Sequence, residues 1–171
     1  MKKKSAPSGG QRSAVSHQRS ARENALLLDA LAHDSTYGCY SRQGLELVMW
    51  PQIRRKARYV VFADIDGMHE LNEAHGYDEV DRRIRNALKV RSSDLAATGR
   101  WYSGDEIVWI ISEGDPYGLA KRLVKSLEKQ GLTATFSVAA VVSEKLSVNV
   151  NKAAVKVQAA KKNGQRGSVL E

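Results

Sequence analysis

The chain has 171 residues, of which 42% are hydrophobic and 27% are charged, an ordinary balance for one globular domain with an appendage. No apolar run approaches the roughly 18 residues that a membrane span requires, and no apolar segment follows the basic N-terminus to form a signal peptide. Cys39 is the only cysteine, so no internal disulfide can form and a cytoplasmic location is expected.

The net charge of +8 is concentrated at the N-terminus. Residues 1–22 hold six basic and no acidic residues, so they contribute +6 and the remaining residues contribute +2. Residues 1–21 are predicted to be a disordered basic tail, because they cannot bury enough apolar surface to offset their chain entropy. Contact with nucleic acid is expected only through this tail. A single domain is predicted over residues 22–171, beginning with a lead-in helix over residues 22–32.

A capped turn and a helix are predicted after the lead-in helix. Asp34 is a candidate cap, Gly38 a turn residue and Ser41 the N-cap of the helix. Pro51 lies inside the helical pattern, so the helix is expected to end or kink near Trp50.

The next strand, residues 59–63, is apolar on both faces, which is typical of a central strand covered by helices. It runs into Asp64-Ile65-Asp66-Gly67. A lone carboxylate at Asp64 would be costly to desolvate, so a metal ion or a basic partner is expected there. For Asp66, capping of the following helix explains the residue as well as a functional role does.

A second acidic turn lies between a strand over residues 95–102 and another over residues 106–112. Ser103-Gly104 is a turn sequence, so the segment is predicted to be a β-hairpin with Asp105 and Glu106 at its tip. Adjacent carboxylates on a tight turn favour binding of a hard cation such as Mg²⁺ or Mn²⁺, which is held by a few carboxylates plus substrate phosphates. The alternative is an ordinary acidic surface turn.

The remaining elements alternate apolar strands with amphipathic helices, which independently indicates an α/β fold. They are helices over 68–75, 78–91, 116–130 and 147–162, and strands over 133–142 and 168–170.

Four spaced blocks carry the strongest functional signal. Residues 34–45 resemble D-x-L-T-G-L-x-N-R-R-x-F, residues 64–81 resemble D-I-D-x-F-K-x-I-N-D-x-x-G-H-x-x-G-D, residues 103–107 resemble G-G-D-E-F, and residues 160–165 follow A-K-x-x-G-R more weakly. Over about residues 30–170 the chain is therefore similar to the GGDEF domain, the catalytic domain of bacterial diguanylate cyclases.

The resemblance implies a fold and an activity. The fold is an α/β (α+β), ferredoxin-like palm, with a central, mostly antiparallel sheet flanked by helices. The activity is condensation of two GTP molecules to cyclic di-GMP, a signalling nucleotide, with a divalent metal. A homodimer, at least a transient one, and a regulatory protein partner are among the implied partners.

The resemblance also assigns metal and catalytic roles. Asp64, the backbone carbonyl of Ile65, Asp105 and Glu106 match the metal-binding positions, and Asp105 and Glu106 are the catalytic residues of the signature.

Five further residues match substrate-binding positions. Asn72 and Asp81 match the residues that read guanine, and Lys161 matches a phosphate-binding lysine. Gly104 matches the second signature glycine, beside the nucleotide. His69 stands where the family has a phosphate-facing lysine.

Several positions depart from the family pattern. Ser103 replaces the first signature glycine, and Ile107 replaces phenylalanine. His69 and Gln165 replace basic residues, which removes fixed positive charge from the phosphate site, although Arg166 is adjacent. Arg91-Ser-Ser-Asp94 has the letters of the family's inhibitory R-x-x-D motif but lies too far from the signature, so product inhibition is not expected.

Two alternatives to an active diguanylate cyclase stay open. One is a degenerate domain that binds GTP or a cyclic dinucleotide as a sensor or scaffold without turnover. The other is a palm like those of CRISPR polymerases that makes another cyclic dinucleotide. Retention of Asp64, Asp105 and Glu106 favours an enzyme, and Asn72 with Asp81 favours GTP over ATP.

Overall fold

The computed structural model describes residues 23–24, 26–90, 92–102 and 104–170, and the chain divides into two compact units, residues 1–31 and 32–171. Within the first unit, residues 23–24 and 26–31 are helical, as predicted for the lead-in helix. The predicted basic tail and the domain boundary at residue 22 lie outside the described residues and stay predictions.

The described residues of the second unit form one seven-stranded sheet. Its strands are β1 (His33–Asp34), β2 (Cys39–Tyr40), β3 (Tyr59–Ile65), β4 (Leu95–Arg100), β5 (Glu106–Ile111), β6 (Ala134–Ala140) and β7 (Val169–Leu170). The spatial order is β1-β2-β4-β5-β3-β6-β7. The four central strands pair antiparallel, whereas β2 with β4 and β6 with β7 are parallel. The predicted mostly antiparallel sheet is confirmed.

Helices cover both faces of this sheet. They are α1 (Gly44–Met49, π-helical), α2 (Trp50–Ile53), α3 (Met68–His75), α4 (Tyr77–Ala87), α5 (Pro116–Glu128) and α6 (Leu146–Lys162). Alternate residues of β3 point to opposite faces, so Val61 packs with α4 and α5 while Phe62 packs with α6. This two-sided burial explains why β3 reads as apolar on both faces. None of the described helices has the length and apolar character needed to cross a bilayer.

Ser41 and Pro51 mark the helical segment that follows the lead-in helix. The Ser41 hydroxyl oxygen accepts a hydrogen bond from the Gly44 amide at 3.0 Å, as an N-cap does. Helix type changes between Met49 and Trp50, where α2 begins with Pro51 in its first turn. Proline is tolerated there because the first helical amides have no intrahelical acceptor. The π-helix therefore ends at Met49, close to the predicted end or kink, but the helical backbone continues as α2 to Ile53.

The Asn149 side chain stabilises the loop that connects β6 to α6 through hydrogen bonds to its backbone. Its side chain is fully buried, and its Oδ1 accepts from the amides of Val142 and Ser143, both at 3.0 Å. Its Nδ2 donates to the carbonyls of Ser143 at 2.7 Å and Lys145 at 3.1 Å. One amide side chain therefore satisfies four backbone groups where α6 begins.

Replacing Asn149 with alanine is expected to lower the free energy of unfolding by about 2–4 kcal/mol, because partly buried backbone groups lose their partners. Urea denaturation measures the loss. Asn151→Ala is the matched control, since Asn151 is an exposed asparagine on the same helix and its change should stay within about 0.5 kcal/mol. Equal losses of unfolding free energy in the two variants would show that the buried hydrogen bonds of Asn149 do not contribute to stability.

Candidate active site

The sheet register brings the two acidic turns together. Asp64 of β3 and Glu106 of β5 are direct cross-strand partners. The Ile65 amide donates to the Asp105 carbonyl at 2.9 Å, which fixes the second turn against the end of β3. The Trp101 amide donates to the Glu106 carbonyl at 2.8 Å, so β4 and β5 form the predicted hairpin. Ser103 lies outside the described residues.

Asp64 and Glu106 are carboxylates in an environment that disfavours their ionised forms. Burial raises the pKa of Asp64 above its ordinary value, while the hydrogen bond from Lys161 opposes the increase. Burial also raises the pKa of Glu106, and the charges of Asp64 and Asp105 add to it, whereas the Tyr102 amide at 3.2 Å lowers it. The hydrogen bonds from Lys161 and the Tyr102 amide therefore compensate only part of the cost of ionising these two carboxyl groups.

Lys161, near the end of α6, supplies the local positive charge. Its Nζ lies 2.5 Å from Asp64 Oδ1 and 2.9 Å from Asp66 Oδ1. It also donates to the Ile65 carbonyl at 3.3 Å. The helix therefore delivers an ammonium group to the carboxylate cluster from a position 97 residues away in the chain.

The same group of oxygens fits a divalent cation. Among the described residues, no three His, Cys, Asp or Glu side chains form a metal-holding cluster on their own. Mg²⁺, however, is usually held by one or two protein carboxylates together with substrate phosphates and water. Asp64, the Ile65 carbonyl, Asp105 and Glu106 are hard oxygen donors of this kind. The positively charged Lys161 ammonium group already contacts two of them, Asp64 and the Ile65 carbonyl.

A cavity of about 420 Å³ opens beside the carboxylates, between the hairpin and α3 and α4. Four predicted site residues line it: Asn72, Asp81, Gly104 and Asp105. The Asn72 Oδ1 atom is buried and has no hydrogen-bond partner among the described residues. An unpaired buried acceptor is costly, so Asn72 is a candidate for a residue whose bonding a ligand completes.

Tyr37 and Arg100 also line this cavity, and sequence reasoning missed both. The Tyr37 hydroxyl donates to the Gly104 carbonyl at 2.5 Å, and burial together with the nearby charge of Asp81 raises the pKa of Tyr37 above its ordinary value. Arg100 NH1 pairs with Asp34 Oδ2 at 3.0 Å. A Cβ on Gly104 would lie 3.1 Å from the Arg100 guanidinium, so glycine keeps this corner open.

A second cavity, of about 300 Å³, reaches Glu106 from the side of α6. Trp101 and Tyr102 form one wall, and Asn151 on α6 contributes to the other. Arg42 stacks over the Tyr102 ring at 3.9 Å, which holds this exposed aromatic side chain at the mouth. The acidic hairpin tip thus lies between two openings.

Two predicted residues have other surroundings. His69 is exposed on α3 and pairs with Glu73 at 3.3 Å, and it is not among the residues that line the 420 Å³ cavity. Asp66 does not cap α3, so that explanation was wrong: Gly67 is the N-cap, and no side chain bonds to the helix end. Asp66 instead accepts from the Thr135 hydroxyl and the Gly167 amide, both from distant parts of the chain.

Arg91, the first residue of the shifted R-x-x-D segment, lies outside the described residues. The Asp94 carboxylate accepts from the hydroxyls of Ser92 and Ser93 at 3.1 and 3.4 Å, which ties it into its own loop. The absence of product inhibition stays a prediction.

The raised pKa of Glu106 makes a prediction about stability. The folded state holds the Glu106 proton more tightly than the unfolded chain, so this group's contribution to stability falls as pH rises from about 4.5 through the folded-state pKa. Glu106→Gln is therefore expected to melt at a higher temperature than the original chain at pH 7 without metal. The difference in melting temperature between the two proteins should shrink towards pH 4, where the glutamic acid and glutamine side chains are both neutral. Thermal melts across this range measure it, and a lower melting temperature at pH 7 would contradict the charge argument.

Comparison with known proteins agrees with this architecture. No protein-family model matches the chain. A curated relative, the bifunctional diguanylate cyclase/cyclic di-GMP phosphodiesterase MucR of Pseudomonas aeruginosa, is 32% identical over 124 residues. The match covers 64% of this chain but only 17% of the relative, so the chain corresponds to a small part of that protein.

Solved structures match most of the chain. Diguanylate cyclase SiaD of Pseudomonas aeruginosa, solved with its activator SiaC, is 20% identical with a TM-score of 0.63, covering 94% of this chain and 69% of SiaD. A microbial GGDEF domain solved with cyclic di-GMP is 20% identical with a TM-score of 0.64, covering 82% of this chain and 98% of that one.

The coiled coil and GGDEF domain of DgcB from Caulobacter crescentus, in complex with c-di-GMP, is 15% identical with a TM-score of 0.63, covering 94% and 95% of the two chains. At these identities the structural likeness establishes the fold. The chain therefore has the fold of the GGDEF domains, and the sequence at its acidic hairpin, Ser103-Gly-Asp-Glu-Ile107, resembles their signature.

Proposed function

We propose that the chain is a nucleotidyltransferase that condenses two GTP molecules to cyclic di-GMP with Mg²⁺ or Mn²⁺. The observation that carries this proposal is the position of the carboxylates. Asp105 borders the 420 Å³ cavity and Glu106 borders the 300 Å³ cavity. Asp64 lies directly opposite Glu106 on the adjacent strand. A reaction that joins two nucleotides needs such a charged centre with two approaches.

Guanine recognition is assigned to the larger cavity. The Asp81 carboxylate can accept hydrogen bonds from the N1–H and N2–H₂ groups of guanine, and adenine offers no such pair of donors. Asn72 offers its unpaired Oδ1 acceptor and two donors to the rest of the base edge. Lys161 supplies positive charge at the carboxylates and Arg100 supplies it in the lining of the cavity, where phosphates would lie.

The chemical step is attack of a 3′-hydroxyl oxygen on an α-phosphorus. A new P–O bond forms, the bond to pyrophosphate breaks, and the hydroxyl proton must leave. Glu106 is suited to accept that proton, because its carboxylate lies at the edge of β5 and borders the second cavity. Asp64, the Ile65 carbonyl, Asp105 and Glu106 would hold the metal ion, which when bound lowers the pKa of the hydroxyl and neutralises phosphate charge.

A second copy of the chain is the proposed partner, because each copy offers one cavity with guanine-reading residues. The SiaD neighbour was solved with an activator protein, and a regulatory partner is proposed for this chain on that likeness. The sensor alternative is favoured by one observation: His69, in place of a phosphate-facing lysine, is engaged with Glu73.

Product analysis separates these possibilities. The purified chain is incubated with GTP, with ATP or with both, plus Mg²⁺ or Mn²⁺, and the products are identified by chromatography and mass spectrometry. Cyclic di-GMP from GTP alone is expected. Binding of GTP without any dinucleotide product would favour the sensor, and a product that contains adenine would favour the CRISPR-polymerase-like alternative.

A further inference from the structure

The Lys161 ammonium group lies against oxygens that the proposed metal ion would use. It contacts Asp64 Oδ1 at 2.5 Å and the Ile65 carbonyl at 3.3 Å. These are two of the four protein donors assigned to the metal. An ammonium group and a divalent cation compete for those oxygens, because both are positive and they repel each other strongly in a partly buried site.

Asp66 offers the same ammonium group a second acceptor, and this acceptor is fixed. Its side chain is 5% exposed and lies 2.9 Å from Lys161 Nζ. The Thr135 hydroxyl donates to its two oxygens at 3.2 and 3.3 Å, and the Gly167 amide donates to its Oδ2 at 3.0 Å. Thr135 is itself completely buried on β6, so Asp66 is held from two sides while Lys161 reaches it on a flexible four-carbon stem.

We propose that Lys161 is a built-in counter-ion of the metal site and that Asp66 is its positioning residue. Without metal, Lys161 bridges Asp64 and Asp66. When a divalent ion binds, Lys161 leaves Asp64 and the Ile65 carbonyl but stays attached to Asp66, beside the place where a nucleotide phosphate arrives. This inference rests on the proposed function and adds a regulation of metal binding to it. Lys161 and the metal ion compete for the same oxygens until a nucleotide phosphate binds and Lys161 pairs with it.

Competition makes a prediction of unusual sign for Lys161→Met. Removing a side chain from an active site normally weakens binding, but here the affinity for Mn²⁺ in the absence of nucleotide should increase about tenfold, which corresponds to about 1.4 kcal/mol. The measurement is the increase in melting temperature with Mn²⁺ alone, supported by calorimetric titration. Lys162→Met is the matched control, since Lys162 is the next residue of α6 and is exposed, and its affinity for Mn²⁺ should not change.

Asp66→Asn tests the positioning role with the opposite sign. Asparagine can still accept hydrogen bonds from Thr135 and Gly167, so the fold should persist, but Lys161 loses its second anion and competes more strongly for Asp64. Affinity for Mn²⁺ is expected to fall by about threefold or more. In the Lys161→Met background the same replacement should have little effect, because Asp66 acts through Lys161.

The outcomes separate this inference from the proposed function. Metal binding by the original chain, with no increase in Lys161→Met, overturns the counter-ion role and leaves the proposed function standing. An equal loss from Asp66→Asn in both backgrounds overturns the positioning role, because Asp66 would then act on the metal ion directly. Absence of Mn²⁺ binding in every variant overturns the inference and the metal assignment together.

Discussion

Replacing Glu106 with glutamine is expected to reduce cyclic dinucleotide formation by at least about a thousandfold while the domain stays folded. The variant keeps the size of the side chain and the acceptor for the Tyr102 amide, but it cannot take a proton or bind a cation as a carboxylate does. Loss of a positioned general base costs about 10²–10⁴-fold in rate, and loss of a metal ligand adds to this.

The measurement is the rate of product formation at saturating GTP and Mn²⁺, with circular dichroism and a thermal melt as checks of folding. Glu113→Gln is the matched control, because Glu113 is an exposed carboxylate just beyond the other end of β5. It should keep full activity. Retention of activity by Glu106→Gln within about threefold would mean that the hairpin tip is an ordinary acidic turn.

Replacing Asp81 with alanine is expected to remove the preference for guanine. Asp81 lines the 420 Å³ cavity with Asn72, and a carboxylate there can accept two hydrogen bonds that only guanine donates. Two bonds to a charged group are worth about 3 kcal/mol together, so GTP affinity should fall about 100-fold while ATP affinity changes little. Metal affinity should be nearly unchanged, since Asp81 is not among the proposed ligands.

Calorimetric titration of GTP and ATP into the variant, each with Mg²⁺, measures this selectivity. Asp78→Ala serves as the control, because Asp78 is exposed one turn earlier on α4 and does not line the cavity. Parallel losses for GTP and ATP in Asp81→Ala would indicate a general electrostatic effect and would remove the base-reading assignment.

Local patterns in the sequence predicted the long elements well, because their burial repeats along the chain. β3 and α6 were found within a few residues of their observed ends, and the hairpin between β4 and β5 was placed correctly from its turn sequence. β1 and β2 were not predicted. Each has only two residues, too few for an alternating pattern, and β2 exists through a parallel contact of Tyr40 with Gly99.

The sequence predicted the members of the site better than their contacts. For Asp66 the sequence favours helix capping and a functional role equally, because an acidic residue before a glycine and a helix is typical of a cap. Its observed partners are distant instead, and one of them is 101 residues away. The contribution of Tyr37 to the site was not predicted for the same reason, since its hydroxyl bonds to Gly104, 67 residues away in the chain. The engagement of His69 had a local signal that was missed: Glu73 follows it by four residues on the same helix.

The central claim is that the carboxylate cluster and its neighbouring cavity form a nucleotide site. Thermal unfolding with GTP, with and without Mg²⁺, tests it most directly. The account predicts that GTP and Mg²⁺ together raise the melting temperature far more than either alone, since a ligand at 100 times its dissociation constant adds about 2.7 kcal/mol of stability. No increase at millimolar GTP and Mg²⁺ would contradict the nucleotide-site assignment as a whole.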